Sequence, residues 1–205
     1  MFKITVKYRQ NSGIILLEVI LLMAILGVIA VPASVFIYNF FSYNRTAAER
    51  ILIDGQIRGI LEEITKELRM AGFSDAGAYP IVSAEAQSLI FFSDVDNDGK
   101  NERIRYFLDG EFFKKGVVKS SGHPPVYNLD SENISVLANF VKNGSSSVFS
   151  YYDSNYIGSG APLDFPVSVG AVRLIKVSLT IGVNVDRPED FLNLSTNVAL
   201  RNLKD

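Results

Sequence analysis

The sequence has no cysteine, no tryptophan and a single histidine among its 205 residues. Without cysteine the chain forms no disulfide bond and no zinc–thiolate site, although this does not fix its compartment, because a sizeable domain can fold outside the cell without disulfides. The formal net charge is −2, and lysine and arginine do not cluster in a basic stripe. Nucleic-acid binding, which needs such a stripe, is therefore not expected.

Short motifs that carry common catalytic chemistry are also missing. We find no Gly-x-Ser-x-Gly nucleophile elbow, no phosphate-binding loop and no His-Glu-x-x-His zinc motif. The one histidine, His123, is followed by two prolines in a segment typical of a surface loop. Paired carboxylates such as Glu62 and Glu63 fall on a predicted amphipathic helix and are interpreted as its solvated face. We therefore expect no enzyme activity.

What the sequence does contain is a long apolar run near its N-terminus. Residues 1–13 are polar, with Lys3, Lys7 and Arg9 and no acid. The apolar run extends from Ile14 to Phe41, which exceeds the ~20 residues needed to cross a bilayer and is too long for a cleaved secretory signal. The basic flank predicts that the N-terminus stays in the cytoplasm and that the C-terminal part is exported.

A single carboxylate, Glu18, lies inside this apolar run. An ionised side chain within a bilayer costs at least ~2.5–3.5 kcal/mol, so Glu18 is expected to have a partner and a purpose. Before it stand the basic segment, Gly13 and the apolar Ile14, each at a fixed offset. An ordinary signal anchor that tolerates one acid is the alternative interpretation.

This arrangement resembles the leader of the type IV pilin and pseudopilin superfamily, in which glycine ends the leader and glutamate is the fifth mature residue. The resemblance implies that a prepilin peptidase cuts between Gly13 and Ile14 and then N-methylates Ile14. The first two mature residues, Ile14 and Ile15, differ from the Phe or Met and the Thr that the family more often has, but they keep the segment apolar.

The resemblance also implies partners and a location. Cleavage would create an α-amino group at Ile14, and the Glu18 carboxylate of one subunit would neutralise that ammonium on its neighbour, because paired ions lose most of the cost that each carries alone. The partners are then the prepilin peptidase and other minor and major pilins or pseudopilins of a helical filament. The protein would first reside in the cytoplasmic membrane, and later in a pilus or pseudopilus in the periplasm or at the cell surface.

A second, amphipathic stretch of helix is predicted after the apolar run. Six apolar residues recur at helical spacing there: Ile53, Ile57, Ile60, Leu61, Ile64 and Leu68. They form one stripe that is expected to pack on a domain core. Pro32 is expected to kink or locally unwind the first half, and Gly72 to end the helix in the left-handed conformation. The segment from Ile64 to Phe73 resembles the helix end of PilW-like minor pilins and of J-type minor pseudopilins of type II secretion.

The sequence pattern of the rest of the chain predicts β-structure. The predicted strands are 88–93, 103–108, 111–118, 145–152, 172–185 and 197–203, with a tight hairpin at Asp109-Gly110. The predicted fold is therefore α+β and pilin-like, a long N-terminal helix packed on a C-terminal antiparallel sheet. The segments are a leader (1–13), a membrane-spanning or filament-core half-helix (14–43), an amphipathic half-helix (44–72) and an exported β-rich domain (73–205).

An acid-rich loop is the one candidate metal site. Asp94, Asp96, Asp98 and Glu102 have the spacing of the first nine positions of a calcium loop, but Arg105 stands where an EF-hand needs its bidentate glutamate. The loop is therefore not an EF-hand, and it is interpreted either as a calcium site or as a solvated turn. Three tyrosines, Tyr151, Tyr152 and Tyr156, are interpreted either as strand-end core residues or as an exposed partner patch.

The sequence leaves several functions open. A type IV pilus subunit and a type II secretion subunit are not distinguished by it. A single-span membrane protein with an exported ligand-binding domain, for calcium or a polysaccharide, is the alternative, and it predicts neither cleavage nor a role for Glu18. A membrane-tethered hydrolase is the third interpretation, for which the sequence shows no catalytic set.

Overall fold

The computed structural model of the protein describes residues 12–184 and 187–200. The chain divides into two units, Met1–Glu49 and Arg50–Asp205, and every strand described belongs to the second. The helix α1 covers Ser12–Arg69 and contributes to both. The strands are β1 (Ile81–Ala84), β2 (Ser88–Ser93), β3 (Glu102–Asp109), β4 (Phe112–Val118), β5 (Ser120–Ser121), β6 (Val126–Tyr127), β7 (Asn133–Ala138), β8 (Phe149–Tyr152), β9 (Leu174–Asn184) and β10 (Arg187–Ala199).

The first unit contains the apolar half of α1. Its helix continues through Pro32 without interruption, so the local unwinding expected there is not found. Proline removes one main-chain hydrogen-bond donor, but the helix continues over many residues on both sides of Pro32. The Ser34 hydroxyl donates to the Val31 carbonyl at 2.8 Å, which gives an acceptor near the proline an additional partner.

In the second unit, the amphipathic half of α1 packs on the sheets through the predicted stripe. Ile57, Ile60, Leu61, Ile64 and Leu68 are all buried, and Ile53 is partly buried at the edge of the same core. Burial of such side chains stabilises a fold by roughly 1.5–3 kcal/mol each. The stripe prediction is confirmed.

The end of α1 differs from the prediction. The helix ends at Arg69, and Gly72 is not among the glycines with a positive φ, so it is not a left-handed stop. The last turn tightens instead, since the Ala71 N–H donates to the Leu68 carbonyl at 3.3 Å. The Gly72 N–H then donates to the Phe92 carbonyl of β2 at 3.0 Å, so a tertiary hydrogen bond replaces the local cap.

The strands form more than the one sheet that was predicted. Within the described residues there is a five-stranded sheet in the order β1-β2-β3-β4-β7, a three-stranded sheet in the order β10-β9-β8, and a two-stranded sheet of β5 and β6. All strand pairs are antiparallel. The α+β class is therefore confirmed, with the helix packed on two larger sheets.

The predicted hairpin is present, with its loop shifted by one residue. Asp109 is the last residue of β3 and pairs with Phe112, which leaves Gly110 and Glu111 as the two-residue loop. Gly110 has φ +61°, as the first loop position of a tight antiparallel hairpin requires.

The later strand boundaries were less well predicted. The strand expected over 145–152 begins only at Phe149, and β9 begins at Leu174. The strand expected over 197–203 begins already at Arg187, while Val185 and residues 201–203 lie outside the described residues. The strands β1, β5, β6 and β7 were not predicted.

The core of the second unit lies between the helix stripe and the two larger sheets. Tyr106 of β3 is fully buried, and its ring stacks between Phe91 and Phe113 at centroid distances of 6.2 and 5.9 Å. Tyr151 and Tyr152 are also buried, so these two belong to the core rather than to an exposed patch. Tyr156 packs on Tyr152 at a centroid distance of 4.2 Å.

Candidate functional site

The apolar half of α1 is the feature of the first unit that bears most directly on function. Its apolar side chains from Leu16 onward are exposed, and its most apolar 18-residue window has a mean hydropathy of 2.7 with no residue buried. By length and composition this helix is suited to cross a membrane. Gly13 and Ile14 lie within the helix, but the surroundings of these two residues are outside the described part of the structure.

Glu18 is the only charged residue between Gly13 and Arg45. Its side chain is exposed on the helix and is surrounded in sequence by exposed apolar residues such as Leu17 and Val19. If the helix is embedded in lipid, an ionised carboxylate in that setting is costly unless a cation pairs with it.

The acidic loop between β2 and β3 brings three of its four predicted ligands together. One carboxylate oxygen from each of Asp94, Asp96 and Glu102 lies within 4.8 Å of the others. Asp98 is not in this group, and its Oδ1 accepts the Lys100 N–H at 2.8 Å. The loop reverses at Gly99, whose φ of +84° favours glycine, and the Gly99 N–H donates to Asp94 Oδ2 at 3.0 Å.

The electrostatics of the loop are set by burial on one side and by a lysine on the other. Glu102 is 1% exposed and accepts the Val95 N–H at 3.1 Å, and burial raises its pKa. The Lys119 ammonium donates to Asp96 and thereby lowers the pKa of that carboxyl group. The Lys119 ammonium therefore occupies a place beside Asp96 that a bound metal ion would otherwise take.

We expect the acidic loop to bind Ca²⁺ and Lys119 to compete with the ion for Asp96. Asp96→Asn should weaken binding, because it removes a ligand charge, whereas Lys119→Met should strengthen it, because the intramolecular cation is gone. Calorimetric titration of the full chain with Ca²⁺ measures both effects, with wild-type affinity expected near the 10⁻⁴–10⁻³ M that is typical of extracellular modules, to about an order of magnitude.

Lys142→Met is the matched control for Lys119→Met, since Lys142 pairs with Glu111 on another hairpin. It should leave the calcium affinity unchanged. A flat wild-type titration, or one that Asp96→Asn does not alter, would make the loop a solvated turn.

A second cluster of charged groups lies between α1 and the five-stranded sheet. Glu67 of α1 is only 5% exposed and accepts a hydrogen bond from the Tyr106 hydroxyl at 2.6 Å. The Lys115 ammonium of β4 donates to Glu67 and, at 2.6 Å, to Glu63 one turn earlier. We call Glu63, Glu67, Tyr106 and Lys115 the buried charge cluster.

Burial and pairing oppose each other in this cluster. Burial raises the pKa of Glu67, against the hydrogen bonds from Lys115 and Tyr106, which lower it. Burial alone would lower the pKa of the Lys115 ammonium, but its bonds to Glu63 and Glu67 outweigh burial and raise that pKa. Burial also raises the pKa of the Tyr106 phenol, which stays neutral.

The buried charge cluster was not predicted from the sequence, although one feature pointed to it. Glu67 follows Ile64 by three positions, which places it on the buried stripe rather than on the solvated face. Glu63 was assigned to the solvated face, and it is in fact half-exposed and bound to Lys115. Nothing in the local sequence of Lys115 distinguishes it from the exposed Lys119.

The single histidine lies where it was predicted. His123 is exposed in the turn that connects β5 to β6. The prediction that the protein is not an enzyme stays a prediction.

No protein-family model matches the chain, and no curated protein matches it either. The pilin likeness therefore depends on the residues of this chain alone.

Proposed function

We propose that this protein is a minor pilin or minor pseudopilin: a subunit that is processed at Gly13 and Ile14 and joins or primes a helical filament. The observation that carries the proposal is the order of its N-terminal parts. A basic leader precedes a helix that is apolar enough to span a membrane, with Gly13, Ile14 and Glu18 at its start, and that helix continues into a β-rich unit.

Each part of this arrangement has a task in the proposal. The basic leader keeps the N-terminus in the cytoplasm and directs the second unit across the membrane. The apolar half of α1 holds the subunit in the membrane before assembly and packs against neighbouring helices afterwards. Glu18 and the amino group released at Ile14 then pair between subunits and set their register.

The buried stripe supports a structural role for the other half of α1. Its apolar face is occupied by the sheets of the second unit, so this half of the helix is part of a folded domain. A subunit built in this way presents a folded unit outside the membrane and an unpartnered apolar helix within it. That combination suits assembly through the helix, in a type IV pilus or in a type II secretion pseudopilus.

The test is the mass of the N-terminal peptide after co-expression with a prepilin peptidase. We expect a peptide that starts at Ile14 and carries one added methyl group, and Gly13→Leu should block this cleavage, because the peptidase is expected to tolerate only a minimal side chain there. Gly27→Leu, within the same helix, is the control and should be processed normally. An intact leader would contradict the proposal.

A second candidate function is a membrane-anchored protein with an exported ligand-binding unit. The convergence of Asp94, Asp96 and Glu102 favours it, since three carboxylates on one loop suit a hard cation. This alternative gains support if the leader is retained and calcium binds.

A further inference from the structure

Glu67 is the point at which α1 is hydrogen-bonded to three adjacent strands. The Tyr106 hydroxyl of β3 and the Lys115 ammonium of β4 both donate to its carboxylate. The Ser93 hydroxyl, at the end of β2, donates to its main-chain carbonyl at 2.9 Å. Two of these three hydrogen bonds therefore depend on the state of one side chain.

The surroundings of this carboxylate make its charge costly. Lys115 is 9% exposed and Tyr106 is fully buried, and the Tyr106 ring stacks with those of Phe91 and Phe113. Ile64 and Leu68, three positions before and one position after Glu67 on α1, are themselves buried. In such surroundings an unbalanced charge is screened far less than in water.

The charges that face Glu67 do not balance. Glu63 is on the same helix as Glu67, the neutral phenol of Tyr106 belongs to β3, and Lys115 belongs to β4. The strand β2 contributes only the uncharged Ser93. Two carboxylates thus share one ammonium, which leaves a net charge of −1 (one positive, two negative groups). Uptake of one proton makes the cluster neutral, and the Glu63 side chain, which is 42% exposed, brings one member of the cluster to the solvent.

We propose that the buried charge cluster is a proton-operated latch between α1 and the five-stranded sheet, which takes up one proton below neutral pH and then holds helix and sheet together more firmly. The inference goes beyond the proposed function and does not depend on how the subunit assembles. The direction of the pKa of Glu67, raised by burial, agrees with it.

The sign of the pH dependence follows from linkage. A carboxyl group whose pKa is higher in the folded than in the unfolded protein binds more protons when folded. Its contribution to stability is therefore fully present below the unfolded pKa of about 4.3 and is lost as the pH rises through the folded pKa. Asp96 acts oppositely, since its lowered pKa makes its contribution disappear only as the pH falls through that lowered value.

The experiment is urea unfolding of the full chain in detergent micelles, followed by near-ultraviolet circular dichroism of the buried tyrosines from about pH 8 to about pH 5. We expect the unfolding equilibrium constant of the wild type to fall as the pH is lowered, by up to about tenfold per pH unit. Glu67→Gln and Glu63→Gln should each flatten this dependence, because each removes the unbalanced charge. Glu62→Gln, on the neighbouring exposed position, should keep the wild-type profile.

A wild-type constant that is flat or rises over this range would overturn the proposal, as would an unaltered slope in both glutamine variants of the cluster. If Glu67→Gln does not fold, amide exchange in the last turns of α1 decides the question in the wild type. After correction for the intrinsic pH dependence of exchange, protection from Ile64 to Arg69 should increase on acidification, and constant or decreasing protection would count against the latch.

Discussion

Replacing Lys115 with methionine is expected to destabilise the second unit by about 3–5 kcal/mol, the usual cost of removing one partner of a buried ion pair. The variant keeps the length and most of the volume of the lysine stem but leaves Glu63 and Glu67 without a cation. Since Glu67 is 5% exposed, its carboxylate would be buried with only the Tyr106 hydroxyl as a side-chain donor. Urea unfolding at neutral pH measures the loss.

Lys114→Met is the matched control on the adjacent position of β4. Lys114 pairs with Asp109, whose side chain is 62% exposed, and such surface pairs contribute at most about 1 kcal/mol. Similar losses in the two variants would mean that the buried cluster is worth no more than a surface pair.

Adding Glu67→Leu to Lys115→Met should recover part of the lost stability. Replacing both partners of a buried ion pair with apolar residues is often neutral or stabilising, because the desolvation cost disappears with the charges. Recovery should be incomplete, because the Tyr106 hydroxyl then loses its acceptor. A double variant less stable than Lys115→Met alone would show that the orphaned Glu67 is not the source of the loss.

The parts of the fold that could be predicted from the sequence are those encoded by local spacing. The stripe of α1 repeats at helical period, and the Asp109-Gly110 pair marks a hairpin with a glycine at its first loop position. The strand β10 begins at residue 187 rather than at the predicted residue 197, and Pro188 and two acids, which strands usually lack, stand near its start. An edge strand tolerates such residues, and β10 is at the edge of its sheet.

The same distinction applies to the candidate sites: groups of residues that are close in sequence could be predicted, and contacts between distant residues could not. The acidic loop was visible because its residues are neighbours in sequence, whereas Lys119, which binds Asp96, lies 23 positions away. The Glu67–Lys115 contact joins positions 48 residues apart, and only the packing of β4 against α1 brings them together. Asp98 has the spacing of a ligand, but its carboxylate accepts a main-chain N–H of its own loop, and spacing alone does not encode this hydrogen bond.

If the protein is the filament subunit proposed above, the largest expected effect on function is at Glu18. Glu18→Ala should permit cleavage after Gly13 and insertion into the membrane, yet reduce incorporation into filaments roughly a hundredfold, the equivalent of about 3 kcal/mol. Insertion is not impaired, because alanine removes a charge that is costly in lipid. Assembly is impaired, because the ammonium of Ile14 on the neighbouring subunit would be buried without its carboxylate.

The measurement is the ratio of this subunit to the major subunit in purified filaments, divided by the same ratio in the membrane fraction. Glu49→Ala is the control: Glu49 belongs to the same unit of the chain, but it lies outside the apolar run and pairs with the exposed Arg45 at 3.0 Å. Its removal should cost little, as for other exposed helix pairs, and incorporation should remain near the wild-type level.

Glu18→Gln separates charge from shape. Glutamine keeps the size and a hydrogen-bonding oxygen of glutamate but cannot neutralise an ammonium, so it should fail nearly as severely as alanine if pairing of opposite charges drives assembly. Normal incorporation of the glutamine variant would leave Glu18 a hydrogen-bonding role only. Normal incorporation of the alanine variant would mean that register between helices is set by apolar packing, and that the acid in the apolar run serves something other than assembly.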